Sequence, residues 1–256
     1  MADLTFGGID IATYGGILGE GTERPHMEPS VESIVIPGAQ GGYTSPRLFV
    51  PSHFSLQIKV EGTSRADTLS KRRTLKALFM PADPGEAEKQ LIFGDEATMY
   101  WMAQCAGKPT EYIRMNLLVM SIPMVASVPA YAVSETSQEV NVNASPKSFA
   151  VSYASGTAYA SPRYYLVNSG AFGPGNVKLK NINTAEEVIW NGSLANLDTL
   201  DIIVEYGSER FVVKKNGVVS MATVSGAFPR LKPGNNSFTI TGPLGTLTIT
   251  YRKRYL

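Results

Sequence analysis

Arg210-Phe-Val-Val-Lys-Lys-Asn-Gly-Val-Val-Ser220 decides the fold class. A tight two-residue hairpin of the type I′ kind needs positive φ at both central residues, and Asn-Gly meets that demand at little steric cost. With a β-branched run on each side, Asn216-Gly217 predicts a β-hairpin. Working outward, Phe54-Ser-Leu-Gln-Ile-Lys-Val60 alternates strictly. Phe54, Leu56, Ile58 and Val60 fall on one face and Ser55, Gln57 and Lys59 on the other, the pattern of a half-buried strand. Similar short runs recur at Thr98 to Cys105, Tyr112 to Ile122, Phe149 to Tyr153, Arg163 to Asn168 and Asn176 to Lys180. They continue at Glu187 to Trp190, Leu200 to Tyr206, Val218 to Thr223, Asn236 to Thr241 and Thr246 to Tyr251. Turn residues separate nearly all of them at the spacing of sandwiches and barrels, so the chain reads as mainly β.

One segment departs from this rule. Residues 64–80 carry Ala66, Leu69, Leu75, Leu78 and Phe79 among Lys and Arg, with no internal Gly or Pro. Ser64 is placed to cap the amino end and Pro81 to stop the run, which predicts one amphipathic helix laid over a sheet. Lys71, Arg72 and Arg73 interrupt the stripe. They read either as a solvated outer face or as charges that meet a neighbouring subunit or line a central opening.

The composition is globular, with 43% apolar and 18% charged residues in 256. That length accommodates two cores, and the polar, Pro-bearing passage 127–138 marks the expected boundary. Residues 1–130 then form a β domain holding the helix, and residues 131–256 form a second domain of strands alone. A formal net charge of +1 gives no broad field to attract nucleic acid or an anionic membrane. The start has no basic flank leading into an apolar run, and no stretch reaches the length of a membrane span. A single cysteine, Cys105, forms no internal disulfide and fits a reducing compartment. Synthesis in the cytoplasm is the expectation.

The residues offer little chemistry. His26 and His53 are the only histidines and both sit in Pro-flanked segments. Cys105 ends a strand-like run, where a buried, inert thiol is expected. No nucleophile elbow, Walker loop or zincin helix occurs, and two histidines with one cysteine do not make a zinc site. Gly38-Ala-Gln-Gly-Gly42 lacks the Lys and the following helix of a phosphate loop. Asp198, Asp201 and Glu205 are candidate carboxylates for glycoside hydrolysis, a chemistry that acidic groups alone perform. Trp190 is a candidate platform for a sugar ring, although its place after two β-branched residues favours packing in the sheet. No catalytic, cofactor or metal residues are expected.

The order of features resembles the distal tail protein family of long, flexible-tailed phages. In the first half it comprises Phe6-Gly-Gly-Ile-Asp-Ile11, Ile34-Val-Ile-Pro-Gly38, an alternating strand, one helix, Leu91-Ile-Phe-Gly-Asp95 and Tyr100-Trp-Met-Ala103. Val128-Pro-Ala-Tyr131 stands at the junction. The second half gives Asn168-Ser-Gly170, Pro174, Val177 to Thr184, Val188-Ile-Trp-Asn-Gly192 and Leu197-Asp-Thr-Leu-Asp-Ile202. Leu197 occupies a position where that family usually has glycine. Phe228-Pro-Arg-Leu-Lys-Pro-Gly-Asn-Asn236, just before the last strands and Tyr251-Arg-Lys-Arg-Tyr255, is the most specific element.

The resemblance implies an N-terminal β-barrel or sandwich with its helix and an extended hairpin making ring contacts. A galectin-like β-sandwich would follow on the outside of the ring. It further implies a hexamer at the virion tail tip, joining the tail-tube protein to the tail-tip hub, with the outer domain as a dock for receptor-binding proteins. On this reading there is no enzyme, cofactor, membrane or sequence-specific nucleic acid. Arg72 and Arg73 on the helix and Gly38, Gly41 and Gly42 in the loop are the expected ring-interface residues. The competing expectation is a carbohydrate-binding adhesin that contacts cell-wall glycan through Trp190.

Overall fold

The computed structural model describes residues 3–30, 33–35, 42–44, 48–81, 83, 88–204 and 211–255. The chain separates into two compact units, Met1–Val133 and Ser134–Tyr255.

The first unit contains β1 (Leu4–Phe6), β2 (Ile9–Asp10), β3 (Gly16–Leu18), β4 (Glu28–Ser30), β5 (Ser33–Val35), β6 (Gly42–Thr44), β7 (Leu48–Val50) and β8 (Ser52–Glu61). These precede α1 (Arg65–Phe79), which leads to β9 (Lys89–Phe93), β10 (Met99–Cys105), β11 (Thr110–Arg114) and β12 (Leu117–Ala126). The division falls within β13 (Ala130–Val142). Strand β8 pairs antiparallel with β12 along its whole length, from Ser52 opposite Ala126 to Glu61 opposite Leu117. That register puts Leu56, Ile58 and Val60 in the core beside Leu118, Met120 and Ile122. Each inward side chain removes apolar surface from water, which is the main favourable contribution to folding.

Helix α1 closes this core with Leu75, Leu78 and Phe79, and Phe79 stacks on Phe6 at 4.7 Å between ring centroids. Its start is held as the sequence predicts. Ser64 accepts from Asp67 N at 3.2 Å, and Asp67 reaches back to accept from Thr63 N at 2.8 Å. This satisfies backbone donors that the first helical turn leaves unpaired. The apolar stripe differs in detail: Ala66 is exposed, whereas Thr68 is buried. The Thr68 hydroxyl lies 3.0 Å from both Ser64 O and Asn116 O, so it ties the helix start to the β11–β12 turn.

That turn corrects the expectation of one strand from Tyr112 to Ile122. The chain reverses at Met115, which takes φ 51°, and residues 110–114 pair back on 117–121. No glycine marks the bend, so the alternation looks unbroken in the sequence.

The second unit is a two-layer sandwich. Its strands are β14 (Lys147–Tyr153), β15 (Arg163–Asn168), β16 (Phe172–Asn181), β17 (Glu187–Leu194), β18 (Thr199–Val204) and β19 (Phe211–Lys215). They continue as β20 (Val218–Val219), β21 (Val224–Gly226), β22 (Gly234–Thr241) and β23 (Gly245–Tyr255). One sheet orders β13-β23-β15-β18-β19-β20 and the other β14-β22-β16-β17-β21. Alternate residues meet in one core, with Tyr164, Leu166, Ile202, Val213 and Ile249 from the first sheet and Val151, Val177, Leu179, Trp190 and Phe238 from the second.

The Asn216-Gly217 turn forms as read, with φ 48° and 79°. The strand expected from Val218 to Thr223 is shorter. Ser220 N bonds Val213 O at 2.8 Å, and a 3-10 turn over Met221–Thr223 then carries the chain into β21 of the opposite sheet. Ser220 also accepts from the Trp190 indole at 3.0 Å, which fixes where the chain leaves the first sheet.

Candidate interaction surfaces

Residues 228–236 show why that stretch carries the strongest sequence resemblance. Phe228 and Leu231 are buried, and Leu231 exchanges two backbone bonds with Ala160 at 2.8 and 2.9 Å. The buried Tyr164 hydroxyl donates to Pro229 O, and burial holds its proton well above the usual phenol range. Arg230 pairs with Glu186. Asn236, fully buried, accepts from Lys232 N at 3.0 Å and donates towards Lys232 O at 2.9 Å and Gly234 O at 3.1 Å. Its oxygen also accepts from Asn181, likewise fully buried, whose amide lies 2.6 Å from Arg230 O. A buried asparagine without partners is costly, so these residues are fixed by the loop they hold. The motif builds the sandwich rather than a ligand site.

The candidate catalytic groups are occupied in the same way. Asp198 accepts from Asn216 Nδ2 at 2.7 Å and Ala195 N at 2.8 Å, and Lys215 lies 3.1 Å away. The Asn216 bond first, then those from Ala195 and Lys215, lower its pKa to about 2. A general acid needs the opposite shift. Asp201 holds Arg163 through two bonds of 2.8 and 2.9 Å. Glu205 lies outside the described residues. His26 and His53 are exposed. The Cys105 thiol is half-buried rather than buried and donates to Gly107 O at 3.1 Å. Among the described residues no three His, Cys, Asp or Glu side chains gather as around a metal ion.

Trp190 corrects the expectation of a glycan platform. It is 3% exposed, inside the sandwich core, and its ring covers Gly192 so closely that a Cβ there would lie 2.3 Å from the indole. Val188-Ile-Trp-Asn-Gly192 is therefore a packing unit: the glycine leaves room for the tryptophan, and no ring face remains for a sugar. The outer face of the same sheet is polar. Register sets Lys180 between Thr239 and Glu187 and places Lys178 opposite Thr241, forming an open groove of about 350 Å³.

The expected ring-interface residues divide. Gly38 and Gly41 lie outside the described residues. Gly42 begins β6, opposite Val35 of β5. Arg72 is half-buried and bonds Glu111 of β11 in its own chain, and Lys76 pairs with the other oxygen of the same carboxylate. Burial alone would raise the Glu111 pKa, but the bonds from Lys76 and Arg72 outweigh it and the net shift is downward. Lys71 pairs with Asp67 at 3.1 Å. Arg73 is exposed, with no ion-pair partner among the described residues. Arg72, Lys76, Lys108, Pro109, Thr110 and Glu111 line an open groove of about 510 Å³. The sequence reading missed Glu111, Lys76 and Lys108, although Arg72 and Lys76 stand one helical turn apart on one face.

A comparison with curated protein sequences finds no match. Residues 155–255 match the family model described as siphovirus-type tail component, C-terminal domain. Most of the second unit is thus similar to a siphovirus-type tail-component domain. Along the whole length the fold is similar to a solved structure of the SPP1 Dit (gp 19.1) protein, described as a paradigm of the hub adsorption apparatus in phages that infect Gram-positive bacteria. That match has a TM-score of 0.75 at 17% identity over 99% of each chain. The fold is also similar to chains of the phage P2 baseplate in its activated conformation. With Ca the TM-score is 0.51 and with Sr it is 0.50, each at 8% identity over 96% of this chain and 93% of the other. The matched segment covers Phe228 to Asn236, the buried loop described above, and the similarity of fold includes the first unit.

Proposed function

We propose that the chain is a structural ring subunit at the distal end of a phage tail, joining the tail tube to the tip hub. The observation that carries this reading is the whole-chain likeness to a hub adsorption protein, together with a tail-component domain over residues 155–255. Six copies close into a ring with a central opening, and the second unit docks receptor-binding proteins. Assembly takes place in the host cytoplasm, and the finished position is the virion tail tip. Such a role needs complementary surfaces, not a reaction centre, and Asp198 and Asp201 are engaged in ion pairs with Lys215 and Arg163. Arg73 and the segment 38–42 are the proposed ring contacts, while Arg72 acts through Glu111 to shape the face. With Trp190 buried, no observation favours the glycan-binding alternative. Immunogold labelling of purified virions with antibodies to this chain tests the assignment. Label confined to the far end of the tail is expected; label along the tube or on the capsid contradicts it.

A further inference from the structure

One rim of the second unit's first sheet carries apolar side chains that the chain itself leaves uncovered. The strands there run in the lateral order β20-β19-β18-β15-β23. Beyond their ends the backbone continues the ladder. Asn216 N donates to Thr199 O at 3.0 Å, Leu197 N to Asn168 O at 2.9 Å and Ser169 N to Leu244 O at 2.9 Å. The last two bonds use opposite sides of one peptide unit, so Leu197 and Leu244 flank it at two strand spacings, roughly 10 Å. Val218, just past the Asn216-Gly217 turn, stands on the β20 side. Leu197, Val218 and Leu244 are 71%, 71% and 48% exposed.

The turns that present these side chains are tightly held. Asp198 accepts from Asn216 Nδ2 at 2.7 Å and from Ala195 N at 2.8 Å, and the buried Asn168 amide reaches Ala195 O at 2.7 Å. A Cβ at Gly245 would strike Val167 O, so the Leu244 turn lies hard against β15. Leu197 takes φ 67°, a conformation its Cβ disfavours, while most of its side chain meets nothing of its own chain. Backbone strain of this kind gathers where a residue serves a contact or a ligand.

Size and charge say what fits the rim. Stable interfaces between folded proteins take roughly 20–30 residues a side, so three apolar side chains are too few to hold a second copy of this chain. The charged residues of these turns, Asp198 and Lys215, pair with each other at 3.1 Å, which leaves no charge to select a charged partner. Five strands at about 4.8 Å span roughly 19 Å, the reach of about six extended residues.

We propose that this rim docks a short, uncharged, apolar segment of a receptor-binding protein, with Leu197, Val218 and Leu244 as its contacts. The inference rests on the docking role given above to the second unit and names the surface that performs it. Side chains already held in place lose little freedom on binding.

Asparagine is close to leucine in shape and, after glycine, is among the residues most at ease at positive φ. Leu197→Asn with Leu244→Asn therefore removes the apolar tips without straining the turns, and the purified variant is expected to unfold in urea at or above the parent's midpoint. A midpoint well below the parent's would make the leucines packing residues and overturn the inference. Particles released in one burst from cells carrying the altered phage genome are then compared by quantitative mass spectrometry. The parent amount of this chain, with one other tail protein reduced tenfold or more, is expected. Val218→Thr, of the same shape, is expected to reduce that same protein. In parent particles grown with photo-leucine, irradiation is expected to join Leu197 or Leu244 to uncharged residues of it. Unchanged composition in both variants, or crosslinks from these leucines only to other copies of this chain, overturns the inference and leaves the docking role standing. Loss of particles in both variants also overturns it, since the rim would then build the tail rather than equip it. A second unit that joins to no other tail protein at any leucine overturns the docking role and the inference together.

Discussion

Leu197 gives a direct test of how the turn before β18 is built. It takes φ 67°, in the left-handed region, and its side chain is 71% exposed, so little packing rewards the residue for that conformation. For a residue with a Cβ the left-handed region costs about 1–2 kcal/mol, whereas glycine enters it freely. Glycine carries its own cost of about 0.5–1 kcal/mol, because the unfolded chain gains freedom. Leu197→Ala and Leu197→Gly both lose the small contact area of the leucine, so the difference between them isolates the backbone. The glycine variant is expected to be more stable by about 0.5–1 kcal/mol, the reverse of the usual order in regular structure. Urea unfolding in a Trp101→Phe background reads the second unit alone, through the buried Trp190. Equal slopes are needed for the midpoints to be compared as stabilities. An alanine variant as stable as the glycine variant would falsify the strain argument.

Two further predictions concern buried and paired groups. Asn236→Ala is expected to destabilise the second unit by about 2–4 kcal/mol, since it strips partners from Asn181 and from the backbone of Lys232 and Gly234. Asn235→Ala, at the exposed neighbour, is expected to change stability by less than about 0.5 kcal/mol, and similar losses at both positions would remove the network from the account. Glu111 contributes through a pKa lowered on folding, so its stabilisation is present above the unfolded value of 4.5 and is lost as pH falls through the lower folded value. Arg72 and Lys76 are each about one third exposed, which limits the effect to roughly 1 kcal/mol or less. Acid titration of the first unit by Trp101 fluorescence in a Trp190→Phe background is expected to show a shallower fall for Glu111→Gln, and identical acid limbs would count against the pairing.

The legible parts of the molecule were those in which local chemistry and tertiary demand agree. Phe54 to Val60 alternates because one face of β8 is buried along its length, and Asn216-Gly217 supplies both positive φ values of its turn. Ser64 and Pro81 bracket α1 for reasons contained within a few residues of each end. The β11–β12 reversal was hidden because Met115 adopts a conformation its side chain disfavours, held by contacts from Thr68 that lie far away in sequence. The early end of β20 was hidden for a related reason, since Ser220 answers to Trp190 across the sandwich. The site was less legible than the fold. Arg72 was visible as a charge in mid-helix, but its partner Glu111 is 39 positions away, and no periodicity connects them. Trp190 shows the converse: a ring that could have faced a ligand is assigned to the core by Gly192, two residues on.

The central claim, a structural subunit that closes into a six-fold ring, is tested most directly by negative-stain electron microscopy of the purified chain with light scattering on the same sample. The account predicts rings with a central opening and a mass six times that of the 27.6 kDa chain. Single particles of 27.6 kDa at every concentration would contradict it.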